Sequence, residues 1–303
     1  MNGPLVSVVI NNYNYGRFLS ESINSAINQT YPYLEVIVVD DGSTDDSREV
    51  IASYGDRIIP VLKENGGQAS AFNAGFEVSR GDIICFLDSD DVFLPNKVEE
   101  IVKARQQHPN AVLYYHRMQI VDFKGVPNGR PWPLDLWAGS IKKKVERSGG
   151  WWQRPTTSAL CFSRKYLVSV LPMPEGGFEL CADAYVGDLA PFFGLIIGVP
   201  KALTLYRQHG DNYFSRLLTK DPKGIRRRAK QYLFEYEQLK KALSGMGITA
   251  SIELNRHLPY LITTYALEQK PPFWKMFLLT LSCPSLGYMG RIYQLAKLIM
   301  KRF

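Results

Sequence analysis

The chain has 303 residues, of which 46% are hydrophobic and 21% are charged, and its formal net charge at pH 7 is +7. That length and composition suit one large domain, or one domain plus an extension, with a sizeable buried core. No apolar stretch approaches the roughly 20 residues that a membrane span needs. The four cysteines have neither metal-ligand nor redox spacing, which is typical of reduced cysteines in a cytosolic protein.

The first half of the chain alternates between predicted strands and predicted helices. The strands are apolar runs bounded by turn residues, and the helices repeat their apolar residues at helical spacing. Alternation of this kind predicts a mainly parallel sheet covered on both faces. In chain order the predicted elements are strand Leu5–Ile10, helix Gly16–Asn28, strand Leu34–Val39, helix Asp45–Tyr54, strand Ile58–Leu62, helix Ala69–Val78, strand Ile83–Leu87, helix Pro95–Gln107 and strand Ala111–Val121.

The second half begins irregularly and ends in helices. Residues 125–155 are rich in proline, glycine and tryptophan, a composition that predicts a long irregular segment. From residue 225 onward the pattern is helical. The predicted elements are strand Thr156–Phe162, a helix from Arg164 capped by Ser163, helix Asp183–Phe193, strand Ala202–Tyr206 and helices Ile225–Leu243, Ile252–Glu268 and Trp274–Arg302.

An acidic turn follows one of the buried strands. Asp88, Ser89, Asp90 and Asp91 come directly after the run Ile83–Leu87. Carboxylates clustered at the end of a buried strand repel one another, and burial increases that repulsion. A divalent cation such as Mg²⁺ or Mn²⁺ removes the repulsion and brings phosphate oxygens with it. The alternative is that Asp90 or Asp91 only caps the following helix.

A second acidic turn follows a neighbouring predicted strand. The run Leu34–Val39 is followed by Asp40 and Asp41, and Asp45 lies a few residues further on. Ligands of open α/β sheets bind at the carboxyl ends of the strands. Two acidic strand ends in one sheet therefore predict a nucleotide diphosphate with its metal. The alternative is that Asp40 and Asp45 are turn and cap residues.

Four segments together resemble the family 2 glycosyltransferases. They are SVVINNYN at 7–14, VVDDGSTD at 38–45, NAG at 73–75 and FLDSDD at 86–91, and a weaker match continues to YRQHG at 206–210 and to Ser215. The resemblance covers about two thirds of the chain. It implies an α/β protein with the GT-A fold, a Rossmann-like mixed, mainly parallel sheet, here followed by a helical C-terminal extension. It also implies a metal-dependent enzyme that uses a nucleotide-diphospho-sugar with inversion.

The resemblance divides the chain and assigns roles to individual residues. It implies a GT-A catalytic domain over residues 1–220, with a nucleotide-sugar half at about 1–121 and an acceptor half at about 122–220, and a helical extension over 221–303. The implied nucleotide-sugar contacts are Asn11, Tyr13, Asp41, Asn73, Asp88 and Ser89. Asp90 and His209 are the implied ligands of Mn²⁺ or Mg²⁺.

Asp183 is the predicted catalytic base, because inverting transfer needs a carboxylate beside the acceptor hydroxyl. Its distance from the YRQHG segment resembles that in the family, but Ala182 stands where the family often has Glu. Glu179 and Asp188 remain rivals, and Asp183 also suits a helix cap. Phe72 replaces the family's usual basic residue before Asn73, so Arg207 and Arg80 stay open as substitutes.

Two other functions remain as alternatives. A nucleotidyltransferase also uses an α/β sheet with metal and carboxylates, although residues 11–16 lack its glycine-rich basic loop. A non-catalytic nucleotide-sugar-binding protein would keep the site without the base. No G-x-G-x-x-G follows a strand, which argues against a dehydrogenase. Nucleic acid is not expected as a partner, because the basic residues do not alternate with aromatics along one groove.

The resemblance further suggests cell-surface polysaccharide or glycolipid synthesis, with a saccharide or a lipid-linked acceptor. No export signal is visible at the N-terminus, so the expected location is the cytoplasm. The basic C-terminus makes an anionic membrane surface a candidate partner, which would place the protein peripherally on the inner membrane face. The apolar face of that predicted helix consists of Ile292, Leu295, Ala296, Ile299 and Phe303.

Overall fold

The computed structural model describes residues 3–178, 181–210, 221–267, 273–284, 286–288, 291–292 and 295–296. The chain divides into two compact units. The first unit consists of Met1–Gly139 and Pro155–Gln208, and the second consists of Ser140–Arg154 and His209–Phe303. The predicted division into a catalytic domain ending at residue 220 and a helical extension stays a prediction.

The first unit is built on one mixed sheet, with nine strands in the described part of the chain. Its order is β3-β2-β1-β4-β8-β6-β9-β5, and β7 also pairs with β9. Six strands run in one direction, and β5, β7 and β8 run against them. The strands are β1 Val6–Asn12, β2 Leu34–Asp41, β3 Ile59–Lys63, β4 Ile83–Asp88, β5 Val92–Phe93, β6 Ala111–Val121, β7 Ala138–Gly139, β8 Leu160–Ser163 and β9 Leu195–Arg207.

Helices cover both faces of this sheet, as the alternating pattern predicts. They are α1 Gly16–Ile27, α2 Ser47–Ala52, α3 Gln68–Val78, α4 Lys97–Gln107, α6 Arg164–Val170 and α7 Ala182–Phe193; α5 belongs to the second unit. On one face, Leu19 and Ile23 of α1 share a core with Ile10 of β1. On the other, the ring of Phe72 in α3 stacks on Phe86 of β4 with their centroids 4.0 Å apart. The side chains alternate between the two cores because successive strand residues point to opposite faces.

Several elements differ from the sequence prediction. The predicted strand Thr156–Phe162 begins as a 3₁₀ turn, Thr157–Ala159, and becomes β8 only at Leu160. Strand β9 begins at Leu195, seven residues before the predicted Ala202. The two-residue strands β5 and β7 were not predicted, because so short a strand is defined by its partner β9 and not by any local pattern.

The second unit is helical in its described part, with α5 Lys142–Arg147, α8 Pro222–Gly245, α9 Leu258–Leu267 and α10 Phe273–Ser282. Asp221 caps α8 by accepting from the backbone N–H of Gly224 at 2.9 Å, and Pro222 opens the helix. Among the described residues, no helix has the length and apolarity that crossing a bilayer requires. Of the predicted C-terminal face, Ile292, Leu295 and Ala296 are described, whereas Ile299 and Phe303 lie outside the described residues.

Candidate functional site

The predicted polar residues meet where the parallel strands of the first unit end. Asn11 of β1 is the register partner of Asp88 in β4, and Asn12 is the partner of Asp40 in β2. Because these strands run in the same direction, their terminal side chains share one edge of the sheet. The two acidic turns predicted from the sequence therefore lie at the same edge.

Asp88 is held by side chains from several elements. Its carboxylate accepts from the Asn11 Nδ2 at 2.9 Å and from the Gln68 Nε2 at 3.2 Å. Burial and the negative charge of Asp90 raise the pKa of Asp88 to about 7; the hydrogen bond from Asn11 lowers it, and the charge of Asp183 raises it further. The charges of Asp90 and Asp183 thus both act on the Asp88 carboxylate.

Asp91 holds the same turn through buried hydrogen bonds. It has no exposed surface, and its carboxylate accepts from the Ser158 Oγ at 2.5 Å and from the backbone N–H of Arg207 at 2.9 Å. Burial and the charges of Asp90 and Asp88 raise the pKa of Asp91 well above its ordinary value. Asp91 therefore fixes the turn, while Asp88 and Asp90 are only half-buried and the predicted contact Ser89 is buried.

Tyr206 of β9 is influenced by the carboxylates of the acidic turn and by Asp183. Burial raises the pKa of its hydroxyl, and the charges of Asp91, Asp90, Asp88 and Asp183 each raise it further. The tyrosine of the YRQHG segment thus belongs to the same site as the acidic turn.

Asp183 lies in the first turn of α7 and is 6% exposed. The residue that precedes the helix is Cys181, in the left-handed conformation at φ 62°, so Asp183 is not the N-cap. The rival Asp188 is on the same helix, where its charge raises the pKa of the buried Tyr166. The other rival, Glu179, lies outside the described residues.

Gln68 joins the acidic turn to helix α7. While its Nε2 donates to Asp88, its Oε1 accepts from the backbone N–H of Ala182 at 2.9 Å. Ala182 is the residue before Asp183. One side chain therefore sets the position of the predicted base relative to Asp88, and it was not among the predicted site residues.

The acidic turn fits a divalent cation. Among the described residues, no group of three or more His, Cys, Asp or Glu side chains is arranged as a complete metal cage. Mg²⁺ commonly uses only one or two carboxylates and completes its shell with water and phosphate oxygens. Burial is the main cause of the raised pKa of Asp88 and the charge of Asp90 adds to it, so a cation bound at the turn would favour the ionised carboxylate.

Asp41 shapes the loop that precedes α3. It is 3% exposed, and its carboxylate accepts from the Lys63 Nζ at 2.6 Å and from the backbone N–H groups of Gly66 and Gly67 at 3.0 and 2.7 Å. Gly67 has φ 84°, which favours glycine at this position. Beside this loop lies a recess of about 540 Å³, lined by Gly42, Ser43, Arg48, Leu62, Lys63, Glu64 and Asn65.

The remaining predicted residues have different surroundings. Tyr13 is 47% exposed in the loop after β1. Asn73 exchanges two hydrogen bonds with the backbone of Met173, at 2.9 and 3.0 Å, and so ties α3 to the segment before α7. His209 is half-buried and begins the second segment of the second unit, whereas Ser215 lies outside the described residues.

Neither arginine left open by the sequence is positioned as a free phosphate ligand. Arg80 pairs with Glu35, which lies near the start of β2, so it occupies the opposite edge of the sheet. Arg207 is 3% exposed, and its guanidinium donates to the carbonyl of Asp90 at 2.9 Å, to the carbonyl of Phe123 at 3.0 Å and to the carboxylate of Glu21. Arg207 therefore holds the acidic turn in place.

Comparison with known proteins identifies the family. The model of the family described as Glycosyl transferase family 2 matches residues 7–169. An uncharacterised glycosyltransferase from Nostoc sp. is 32% identical over 311 residues, covering 98% of this chain and 94% of that protein. An uncharacterised glycosyltransferase from Rickettsia prowazekii is 41% identical over 122 residues, which cover 40% of this chain and 38% of that protein.

Solved structures share the fold. TarS residues 1–349 from S. aureus, in complex with UDP-GlcNAc, has a TM-score of 0.57 at 18% identity, covering 91% of this chain and 83% of that one. The mannosyltransferase PcManGT from Pyrobaculum calidifontis, in complex with GDP-Man and Mn²⁺, has a TM-score of 0.55 at 19% identity, covering 97% and 79%. The predicted GT-A fold with its mixed sheet is confirmed. The chain belongs to glycosyl transferase family 2 and is a glycosyltransferase.

Proposed function

We propose that this enzyme transfers a sugar from a nucleotide-diphospho-sugar to an acceptor hydroxyl with inversion, and that it uses Mn²⁺ or Mg²⁺. The observation that carries the proposal is that Gln68 links Asp88, at the carboxyl edge of the sheet, to Ala182, the neighbour of Asp183 in the first turn of α7. That edge is where open α/β sheets bind their ligands.

The donor would lie against the ends of β1, β2 and β4. Asp90 would hold the metal, with His209 as a second candidate ligand, and the bound metal would neutralise charge on the diphosphate. The Asn11 Oδ1 is buried without a hydrogen-bond partner among the described residues, so it can accept from a donor hydroxyl near Asp88. Tyr13, Asp41, Asn73 and Ser89 complete the proposed contacts with the nucleotide-sugar.

Asp183 would act as the general base. Its carboxylate takes the proton of the acceptor hydroxyl as the acceptor oxygen attacks the anomeric carbon. The bond between that carbon and the diphosphate oxygen breaks on the opposite side, and the diphosphate leaves with the bonding electrons. Attack opposite the leaving group inverts the configuration, which explains why the base must stand across from the diphosphate.

The fold neighbours support this class of donor, because TarS and PcManGT form complexes with UDP-GlcNAc and GDP-Man. We extend the proposal to cell-surface polysaccharide or glycolipid synthesis, with a saccharide or lipid-linked acceptor. We also propose a catalytic domain over residues 1–220 and a helical extension over 221–303; the compact units differ from this division in placing Ser140–Arg154 and the chain from His209 onward in the second unit.

The described part of the second unit supports contact with an anionic membrane surface. In α10, Trp274, Leu278 and Leu281 recur at helical spacing and are 66%, 62% and 41% exposed. After Glu268 the sequence contains no acidic residue and six basic ones, Lys270, Lys275, Arg291, Lys297, Lys301 and Arg302. An exposed apolar face in a basic segment suits anionic lipid, and we propose peripheral attachment at the inner membrane face from the cytoplasm.

A donor panel tests the catalytic proposal. Calorimetry with uridine, guanosine and other nucleoside diphosphates, each with and without Mn²⁺, should find one nucleotide whose binding requires the metal. Asp90→Asn should remove most of that dependence, whereas Asp41→Ala should weaken nucleotide binding with metal present. Equal affinity with and without Mn²⁺ would reject the metal role.

Turnover separates the remaining alternatives. An active transferase should hydrolyse its donor slowly in water and faster with acceptor, and the product anomer read by NMR should be inverted. Nucleotide-sugar binding without either reaction would support a non-catalytic binding protein. Formation of a nucleotide-sugar from a nucleoside triphosphate and a sugar phosphate would identify a nucleotidyltransferase instead.

A further inference from the structure

Lys97 lies beneath the acidic turn and has no exposed surface. Its Nζ donates to the backbone carbonyl of Ser158 at 3.1 Å and lies 3.1 Å from the centroid of the Phe93 ring. Burying an ammonium group is unfavourable unless its partners replace the lost hydration. Packing alone does not explain a lysine here, because a methionine would fill a similar volume without that penalty.

Ser158 connects Lys97 to the turn through both of its polar groups. Its carbonyl accepts from the Lys97 Nζ and from the Thr204 Oγ1, the latter at 3.0 Å. Its hydroxyl donates to the Asp91 carboxylate and accepts from the backbone N–H of Asp88, the latter at 3.1 Å. A residue fixed at its carbonyl and its hydroxyl cannot shift without moving the turn.

The support continues to the next residue. Thr157, beside Ser158 in the 3₁₀ turn, lies 3.5 Å from the Gln68 Nε2, which also donates to Asp88. Lys97 therefore holds a segment that contacts both ends of the Asp88–Asp91 turn. Lys97 is thus linked to the Asp91 carboxylate through Ser158.

We propose that Lys97 is a positioning residue that acts through Ser158 to hold the Asp88–Asp91 turn in the geometry that binds the metal and the donor diphosphate. The role rests on the proposed function, because it presumes a metal–diphosphate ligand. In this proposal Lys97 has a role in donor binding. The helical sequence pattern around Lys97 does not indicate such a role.

Binding of Mn²⁺ tests this role without relying on turnover. Free Mn²⁺ is measured by electron paramagnetic resonance in the presence of the nucleoside diphosphate that the wild type binds best. Lys97→Met and Ser158→Ala should each weaken Mn²⁺ binding roughly tenfold, the worth of about one hydrogen bond to a charged group. If Lys97 acts through Ser158, the double variant should bind Mn²⁺ only slightly more weakly than either single variant.

A purely structural role predicts a different result. In that case Lys97→Met would lower the melting temperature and leave the Mn²⁺ affinity of the folded protein unchanged. The positioning role predicts a melting temperature that is equal or higher, because the buried charge is gone, together with weaker Mn²⁺ binding. It also predicts a donor KM that rises more than kcat falls, since Lys97 and Ser158 support the Asp88–Asp91 turn, where the donor is proposed to bind.

Two further variants complete the test. Lys103→Met removes an exposed lysine of the same helix, which pairs with Glu99 at 2.7 Å, and it should change neither Mn²⁺ binding nor KM. Thr204→Val removes the other donor to the Ser158 carbonyl and should weaken Mn²⁺ binding in the same direction. This variant decides the question if Lys97→Met does not fold.

Three results would overturn the role. They are unchanged or tighter Mn²⁺ binding by Lys97→Met, fully additive effects in the double variant, or a loss of kcat with KM unchanged. In these cases the wild type still binds nucleotide with Mn²⁺, so the proposed function survives. A wild type without metal-dependent nucleotide binding would instead reject the proposed function and this role with it.

Discussion

Asp183 and Asp188 share one helix but have different surroundings. The charge of Asp183 raises the pKa values of Asp88 and Tyr206, whereas the charge of Asp188 raises that of Tyr166. We expect Asp183→Asn to keep donor binding and to lose about 10²–10⁴-fold in kcat, the usual worth of a positioned base. Steady-state kinetics and calorimetry measure the two quantities.

Asp188→Asn is the matched control, since it makes the same chemical change on the same helix. It should retain most of the activity. Normal turnover by Asp183→Asn, or a dead Asp188→Asn with intact folding, would show that the base has been assigned to the wrong residue.

Gln68 is the second residue whose removal should separate binding from turnover. Gln68→Leu keeps the approximate volume but loses the hydrogen bonds to Asp88 and to the N–H of Ala182. Because the second bond sets where Asp183 stands, we expect kcat to fall about tenfold or more, the cost of a misplaced catalytic group. Kinetics with saturating donor measure this, and an unchanged kcat would show that α7 is positioned without Gln68.

At the scale of elements, α10 offers a test of membrane attachment. Trp274→Ser combined with Leu278→Ser removes the two most exposed apolar side chains of the proposed face. Because apolar burial and basic charge both contribute to attachment, we expect clearly weaker co-sedimentation with anionic liposomes at low salt, and nucleotide binding should be unchanged. High salt should release the wild type, since it screens the charges.

Leu195→Ser is the control for that experiment. Leu195 is an exposed leucine of the first unit, at 37% exposure, so its loss tests whether any exposed apolar residue matters. It should leave sedimentation unchanged. Equal sedimentation of the α10 variant and the wild type, or equal binding to neutral and anionic liposomes, would contradict the proposed face.

The elements also show which parts of the structure the sequence predicts. Strands β2 and β4 end in acidic residues, which are unusual after an apolar run, so the local pattern predicts the two acidic turns that hold Asp41, Asp88 and Asp90, and the roles of these residues stay a proposal. Strand β6, Ala111–Val121, was predicted with the same bounds because it is long and apolar. Local information of this kind depends on residues that are neighbours in the chain.

Contacts between distant residues account for what was missed. Ser158 supports Asp88 and Asp91 across about 70 residues, and nothing around Ser158 in the sequence marks it. Lys97 is the first residue of α4, and its contacts with the Phe93 ring and the Ser158 carbonyl are not visible in a helical pattern. Gln68 follows Gly66 and Gly67, a loop visible in the sequence, but its link to Ala182 spans 114 residues.

At the scale of the whole molecule, His257 in the second unit makes stability depend on pH. Burial lowers the pKa of His257 from an ordinary 6.5 to about 4, and its Nδ1 accepts from the backbone N–H of Tyr260. The unfolded chain therefore binds a proton below pH 6.5 that the folded chain does not. The stabilisation is complete above pH 6.5 and is lost as the pH falls to about 4, by about 3 kcal/mol in total.

Urea unfolding at several pH values measures this effect as a difference between wild type and His257→Leu. Over that window the wild type should lose more stability than the variant. The subtraction is needed because Asp88 has the opposite effect. Its pKa is raised to about 7, so its contribution to the free energy of unfolding falls as the pH rises. Parallel curves for the two proteins would show that His257 is not buried as a neutral group.

The position of β8 determines when the site can exist during synthesis of the chain. Strand β8 lies between β4 and β6 in the sheet, although it follows both of them in the sequence. Among the described strands, β5 pairs only with β9, which is the last of them in the sequence. When the ribosome has released only residues 1–121, β4 still has an open edge and the acidic turn lacks Ser158 and Arg207. A fragment ending there carries all six predicted nucleotide-sugar contacts, and we nevertheless expect it to aggregate through that open edge and not to fold as an independent module.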